Sequence, residues 1–127
     1  MKDVIRTESA PAPFQGAPYS QAIKANGLVF VSGQLALRPD HAEIIGDGIA
    51  EQTEQVFANL RAILEAAGSS LDRLVKTTVF LQSLDDFAGM NEVYKQHVGD
   101  SPPARSTVEI ARLPSGALVE IEAIALA

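Results

Sequence analysis

No cysteine and no tryptophan occur in the 127 residues of the chain. Without thiols there is no disulfide, no thiolate metal ligand and no cysteine nucleophile, which fits a reducing, cytoplasmic setting. Cationic residues are also few. Ten Lys and Arg are scattered among sixteen Asp and Glu, for a formal net charge of −6. A protein that binds nucleic acid neutralises phosphates with clustered Lys and Arg, so nucleic acid is not an expected partner. A small anion stays compatible, because one well-placed Arg in a cleft outweighs the global field. The two histidines, His41 and His97, have no His-x-His or His-x-x-x-His spacing, and with cysteine absent no metal site is expected. No apolar run is long enough to span a bilayer. Met1 to Arg6 has neither the apolar core of a signal peptide nor an Arg/Ser-rich transit pattern, so no membrane partner is expected. Gly46-Asp47-Gly48 lacks the spacing and the following Lys-Ser/Thr of a phosphate loop, and no Gly-x-Ser-x-Gly elbow offers a serine nucleophile.

What is present is an apolar fraction of 46% in a length suited to one domain, residues 1–127. Val4 to Thr7 reads as a short strand. Ala10-Pro11-Ala12-Pro13-Phe14 is too proline-rich for a helix and reads as an extended run. Tyr19 follows Pro18, either as a packed ring with its hydroxyl in water or as a phenol lining a pocket. Gln21–Lys24 and Leu28–Ser32 read as strands joined through Asn26-Gly27, a strong hairpin signal. Gly33 at the second strand's end marks either a bend or bulge, or a backbone that something approaches closely.

Ile49, Val56, Phe57, Leu60, Ile63, Leu64 and Ala67 recur at helical spacing behind Asp47-Gly48. Glu51, Gln52, Glu54, Asn59, Arg61 and Glu65 are expected mostly to face water, and Gly68 to end the helix. Leu74–Leu81 reads as a central strand. Ser83 is a cap for a second helix with Asp86 at its N3 position, and Phe87, Met90, Asn91, Tyr94 and Val98 share one face. Asn91 is an amide among apolar neighbours, bonded either to nearby backbone or within a site.

Ala104–Ile110 and Leu118–Ile124 read as two more strands, with Leu113-Pro114-Ser115-Gly116 between them, so an antiparallel closing hairpin is expected. A loop centred near Arg112 and Leu113 would set Arg105 opposite Glu120. The pair is either an exposed cross-strand ion pair worth a few tenths of a kcal/mol, or a site in which a guanidinium grips a carboxylate and an acid opposite moves protons. Two helices and about six strands make an α+β sandwich with both helices on one face of a mixed sheet. The other face carries apolar side chains of the closing strands and is expected to be covered in a homo-oligomer.

Six blocks occur in order: Ala17-Pro18-Tyr19-Ser20-Gln21, Val31-Ser32-Gly33-Gln34, Lys76-Thr77-Thr78-Val79-Phe80-Leu81, Asp86-Phe87-Ala88-x-x-Asn91-x-x-Tyr94, Pro103-Ala104-Arg105-Ser106 and Val119-Glu120-Ile121-Glu122-Ala123. Together, and over nearly the whole chain, they closely resemble the YjgF/RidA family of reactive-intermediate (enamine/imine) deaminases. The resemblance implies a chorismate-mutase-like fold, a homotrimer whose three sheets pack into a barrel, and clefts between subunits. It implies hydrolysis of 2-iminobutanoate and 2-iminopropanoate to 2-oxo acids and ammonia, without a cofactor. Residue by residue, Arg105 would clamp the carboxylate and Glu120 would position water. Tyr19, Ser32, Gly33, Asn91 and Thr107 would line the cleft. Thr107 occupies a position that is often Cys in the family, and Ala17 one that is commonly Gly. Two rivals share the same clefts: a non-catalytic trimeric sensor of 2-oxo or amino acids, and an enzyme for a carbamate or another enamine.

Overall fold

The computed structural model describes residues 1–127. Asn26 and Gly27 both adopt positive φ, 53° and 79°, the conformation whose twist matches two antiparallel strands. They join β2 (Ala22–Ala25) to β3 (Leu28–Gln34), with Ala25 paired to Leu28. β1 (Asp3–Ile5) adds to the free edge of β2. Beyond β3 lie α1 (Ile49–Ala66), β4 (Leu74–Leu81), α2 (Phe87–Val98), β5 (Ala104–Glu109) and β6 (Val119–Leu126). The six strands form one mixed sheet in the order β1-β2-β3-β6-β4-β5, so the fold is α+β with two helices as the sequence predicts.

α1 is the anchor of the core. Its Val56, Phe57, Leu60, Ile63 and Leu64 are fully buried, each worth roughly 1.5–3 kcal/mol. They meet Val29 and Val31 of β3, Val79 and Leu81 of β4, and Val119, Ile121, Ala123 and Ala125 of β6 in one cluster. Alternate residues of β6, Glu120, Glu122, Ile124 and Leu126, therefore point to the opposite, helix-free face. Phe30, Val108 and Leu126 are all more than 40% exposed, so the helix-free face is notably apolar. No helix is long and apolar enough to cross a membrane.

Two expectations are corrected. β5 and β6 are not a hairpin. β4, α2 and β5 form a strand-helix-strand unit, and a crossover of that length pairs its strands in parallel, as seen from Lys76↔Ala104 to Leu81↔Glu109. β5 thus occupies one edge of β4, and the chain steps across the end of β4 to place β6 antiparallel on its other edge. Both ends of that connection are tied to β4's end, Ile110 N–H to Leu81 O and Gln82 N–H to Leu118 O, each at 3.0 Å.

The second correction concerns α1. Gln52 and Asn59 do not face water but are buried. Asn59 donates to the carbonyls of Leu35 (3.0 Å) and Leu37 (2.9 Å), and Gln52 bonds Gly46 O and Leu118 N–H. Polar side chains at these positions satisfy the irregular backbone that β3 runs into, which helical periodicity does not reveal. The Ser83 hydroxyl accepts from Asp85 N–H as a cap, but of a short 3₁₀ turn that precedes α2.

Asn59→Ala removes the amide and with it two buried hydrogen bonds, at about 1 kcal/mol each. We expect the urea midpoint to fall by about 2 kcal/mol equivalent with an unchanged m-value. An unchanged midpoint would mean the amide contributes nothing.

Candidate functional site

β5 is an edge strand, yet its one arginine is held in place. Arg105 pairs across the backbone with Thr77 and so points to the helix-covered face. There its Nη1 donates to Asn91 Oδ1 of α2 at 2.8 Å, and the guanidinium carbon lies 4.7 Å from the ring centre of Tyr94 and 5.6 Å from that of Phe87. Phe87, Asn91 and Tyr94 meet one guanidinium because spacings of three and four put them on one stripe of α2. Asn91 is thus bonded to a side chain, not to nearby backbone. Arg105 opens into a cavity of about 370 Å³ with Asn91, Tyr94, Pro102 and Pro103 on its walls. Thr107, two residues on and facing the same way, has a buried hydroxyl without a hydrogen-bond partner.

Glu120 lies on the other side of the sheet. It pairs with Phe80, an odd number of residues from Thr77, so alternation sends it to the helix-free face. Arg105 and Glu120 therefore do not face each other within one chain, which corrects the cross-strand pairing expected from sequence. Glu120 instead lines a cavity of about 430 Å³ together with Tyr19, Ser32, Gly33, Glu122 and the apolar Phe14, Leu35, Leu37 and Pro114. None of the fourteen lining residues is Lys or Arg.

This half is built by the end of β3 and the loop before β2. A bulge falls between Val31 and Gln34, and Glu120 packs across it. A Cβ on Gly33 would lie 2.6 Å from Glu120 Oε2, so any other residue there would push the Glu120 carboxylate aside, while the backbone angles do not call for glycine. Ser32 donates its hydroxyl to Ser20 O at 2.6 Å, and its N–H bonds Gln21 O. Buried Gln21 bonds the N–H and carbonyl of Thr7 and the carbonyl of Pro11, fastening the proline-rich run. Tyr19, 41% exposed, accepts the Phe14 N–H on its phenolic oxygen, which leaves the O–H free to donate into the cavity. Ala17 has ordinary extended angles (φ −64°, ψ 154°), so alanine replaces the family's common glycine without strain.

Removal from water raises the Glu120 carboxyl above the usual carboxylate range, and the like charge of Glu122, two residues along the same face, adds to the rise. Sequence reading did not single out Glu122 as a partner in the site. The residues it selected fall into two groups, with Arg105, Asn91 and Thr107 on one side of the sheet and Tyr19, Ser32, Gly33 and Glu120 on the other. Phe87, Tyr94 and Thr77 were legible only as a helix face and a strand, since their contact with Arg105 depends on the β4-α2-β5 crossover.

A raised folded-state pKa means that the unfolded chain ionises Glu120 first. The stability linked to Glu120 is therefore fully present below the ordinary carboxylate value of 4.5 and is lost as pH climbs from there through the raised one. Glu120→Gln has no such loss. We expect its thermal midpoint to gain on wild type as pH rises across that window and to stay ahead above it; a difference independent of pH would contradict the raised carboxyl.

Comparison with known proteins bears on what these halves serve. The family model described as endoribonuclease L-PSP matches residues 7–127. A RutC family protein of Pyrococcus horikoshii is 54% identical over 125 residues, covering 98% of each chain. The 2-iminobutanoate/2-iminopropanoate deaminase of Mus musculus is 42% identical over 126 residues, covering 99% of this chain and 92% of its own. The crystal structure of TdcF from E. coli with bound serine superposes with a TM-score of 0.89 at 41% identity, covering 98% of both chains. The chain belongs to the endoribonuclease L-PSP family, the YjgF/RidA proteins.

Proposed function

We propose that the protein is a cytoplasmic, cofactor-independent deaminase of reactive 2-imino and enamine acids, 2-iminobutanoate and 2-iminopropanoate among them. It works as a homotrimer whose clefts each join the Arg105 half of one subunit to the Glu120 half of the next. The observation that carries this reading is the division of the site. One side of the sheet holds an oriented Arg105 with no carboxylate paired to it, the Glu92 of its cavity being bridged to Lys95, and the other an unpaired, desolvated acid without a cation. Each is half of a carboxylate-binding, proton-moving cleft. The apolar helix-free face, with Phe30, Val108 and Leu126 exposed, gives subunits a reason to close on one another as a barrel of sheets in a chorismate-mutase-like arrangement.

The chemistry follows from the residues. A 2-imino acid carries a carboxylate beside its electrophilic carbon. Arg105, with Nη1 already bonded to Asn91, has its remaining N–H groups free to grip that carboxylate. Glu120 orients a water toward C2 and takes its proton as the C–O bond forms. In the carbinolamine so formed it returns the proton to nitrogen and accepts the hydroxyl proton, so that the C=O bond forms as the C–N bond breaks and ammonia leaves with a 2-oxo acid as the other product. A carboxyl raised above its ordinary range is better matched to both transfers than an exposed one. The free O–H of Tyr19, on the wall of the Glu120 cavity, is available to the substrate's polar atoms.

A second reading, a trimeric sensor that binds 2-oxo or amino acids without turning them over, is favoured by the serine bound to TdcF. Glu120 separates the two, since a pure binder has little use for a desolvated acid beside a carboxylate ligand. RNA cleavage fits the site poorly. Two carboxylates line the Glu120 cavity, His41 pairs with Asp40, and His97 stacks on Phe57.

In a coupled assay a dehydratase releases 2-iminobutanoate and semicarbazide traps it. Wild type should suppress trapping, and Arg105→Ala should lose that suppression by at least about a hundredfold while remaining assembled by light scattering. Suppression retained by Arg105→Ala sinks the clamp; none by wild type favours the sensor. The acid limb of the rate profile should lie above the ordinary carboxylate range, because ionised Glu120 is the working form. Glu122→Gln should move that limb to lower pH by removing the neighbouring charge. A limb that stays in place would remove Glu122 from the tuning.

A further inference from the structure

We propose that Tyr94, tethered by Thr77, is the positioning residue that sets the plane of the Arg105 guanidinium for a carboxylate ligand. The inference rests on the reading of Arg105 as a clamp and names what makes the clamp rigid. An arginine on an edge strand has many rotamers to lose on binding, so its fit to a carboxylate depends on what confines it beforehand.

The Tyr94 ring is confined on every side that matters. Its hydroxyl meets the Thr77 hydroxyl at 2.6 Å in the core. Thr77 is the residue of β4 directly paired with Arg105, so the tether ends on the backbone neighbour of the group it positions. Phe57 of α1, fully buried, packs edge-on to the ring with centroids 5.4 Å apart and planes at 80°. The ring centre is 4.7 Å from the guanidinium carbon. Tyr94 is itself buried, so its ring reaches Arg105 without occupying the exposed part of the cavity that a ligand would enter. A ring fixed at its hydroxyl by Thr77 and packed against Phe57 offers Arg105 one plane to lie against, and Asn91 then selects one rotation within that plane.

The test compares 2-oxobutanoate with its neutral analogue 2-oxobutanamide, by calorimetry or ligand-observed NMR, on wild type, Tyr94→Leu, Tyr94→Phe and Val93→Ala. Tyr94→Leu should weaken the carboxylate about tenfold, inside the range expected for one lost cation–π partner, and change the amide less than about twofold. Tyr94→Phe keeps the ring and loses the tether, and should fall between wild type and Tyr94→Leu. Val93→Ala, a buried position on the same helix away from the guanidinium, should lower the thermal midpoint and leave both affinities unchanged. Equal loss of carboxylate and amide in Tyr94→Leu, or no loss of either, overturns the positioning role. Wild type that fails to prefer the carboxylate overturns the Arg105 clamp itself, and the present inference with it.

Discussion

Everything distinctive about this chain depends on strand β4 being paired along both edges. A helical crossover brings β5 to one edge in parallel, and β6 closes the other edge antiparallel. With β4 between them, side-chain alternation decides which side of the sheet each chemical group faces. Thr77 and Phe80 are an odd number of residues apart, so Arg105 (paired with Thr77) and Glu120 (paired with Phe80) point in opposite directions. No rotamer change can bring them together within one chain. A site that uses both must take them from two subunits.

The two halves are prepared differently, and each preparation has a physical cost met by its surroundings. Arg105 loses rotamer freedom against Asn91, Phe87 and Tyr94 of α2, a helix held against α1 by the buried Phe57–Tyr94 contact. Glu120 loses hydration inside a cavity without a compensating cation, which shows as a raised carboxyl. An unpaired, half-buried acid without a cation costs stability unless proton chemistry or a partner gives it use. Gly33 answers the same shortage of space, since any side chain there would meet the carboxylate.

Much of this was readable in the residues. The Asn26-Gly27 turn, the apolar stripe of α1 and the face shared by Phe87, Asn91 and Tyr94 are local patterns, and local patterns survive folding. The face of β5 that carries Arg105 and Thr107, and the face of β6 that carries Glu120 and Glu122, also followed from alternation alone. What misled was adjacency in sequence. A loop rich in Pro, Ser and Gly between two strands reads as a hairpin turn, but the crossover before it had already assigned β5 to the edge of β4. Gln52 and Asn59 misled for a related reason: their partners are loop carbonyls and amides far along the chain, outside any periodic pattern. The candidate residues stood out by type and motif, while their separation across the sheet is a property of strand order.

The central claim is that a working cleft takes Arg105 from one subunit and Glu120 from its neighbour, and subunit mixing tests it most directly. Arg105→Ala and Glu120→Gln proteins, each expected to be inactive alone, are unfolded together in equal amounts and refolded into mixed oligomers. If the cleft is shared, about a quarter of the clefts pair an intact Arg105 with an intact Glu120, and about that fraction of wild-type imine hydrolysis returns. If mixed assemblies form and stay inactive, the two residues do not act together across an interface, and the shared-cleft mechanism is wrong.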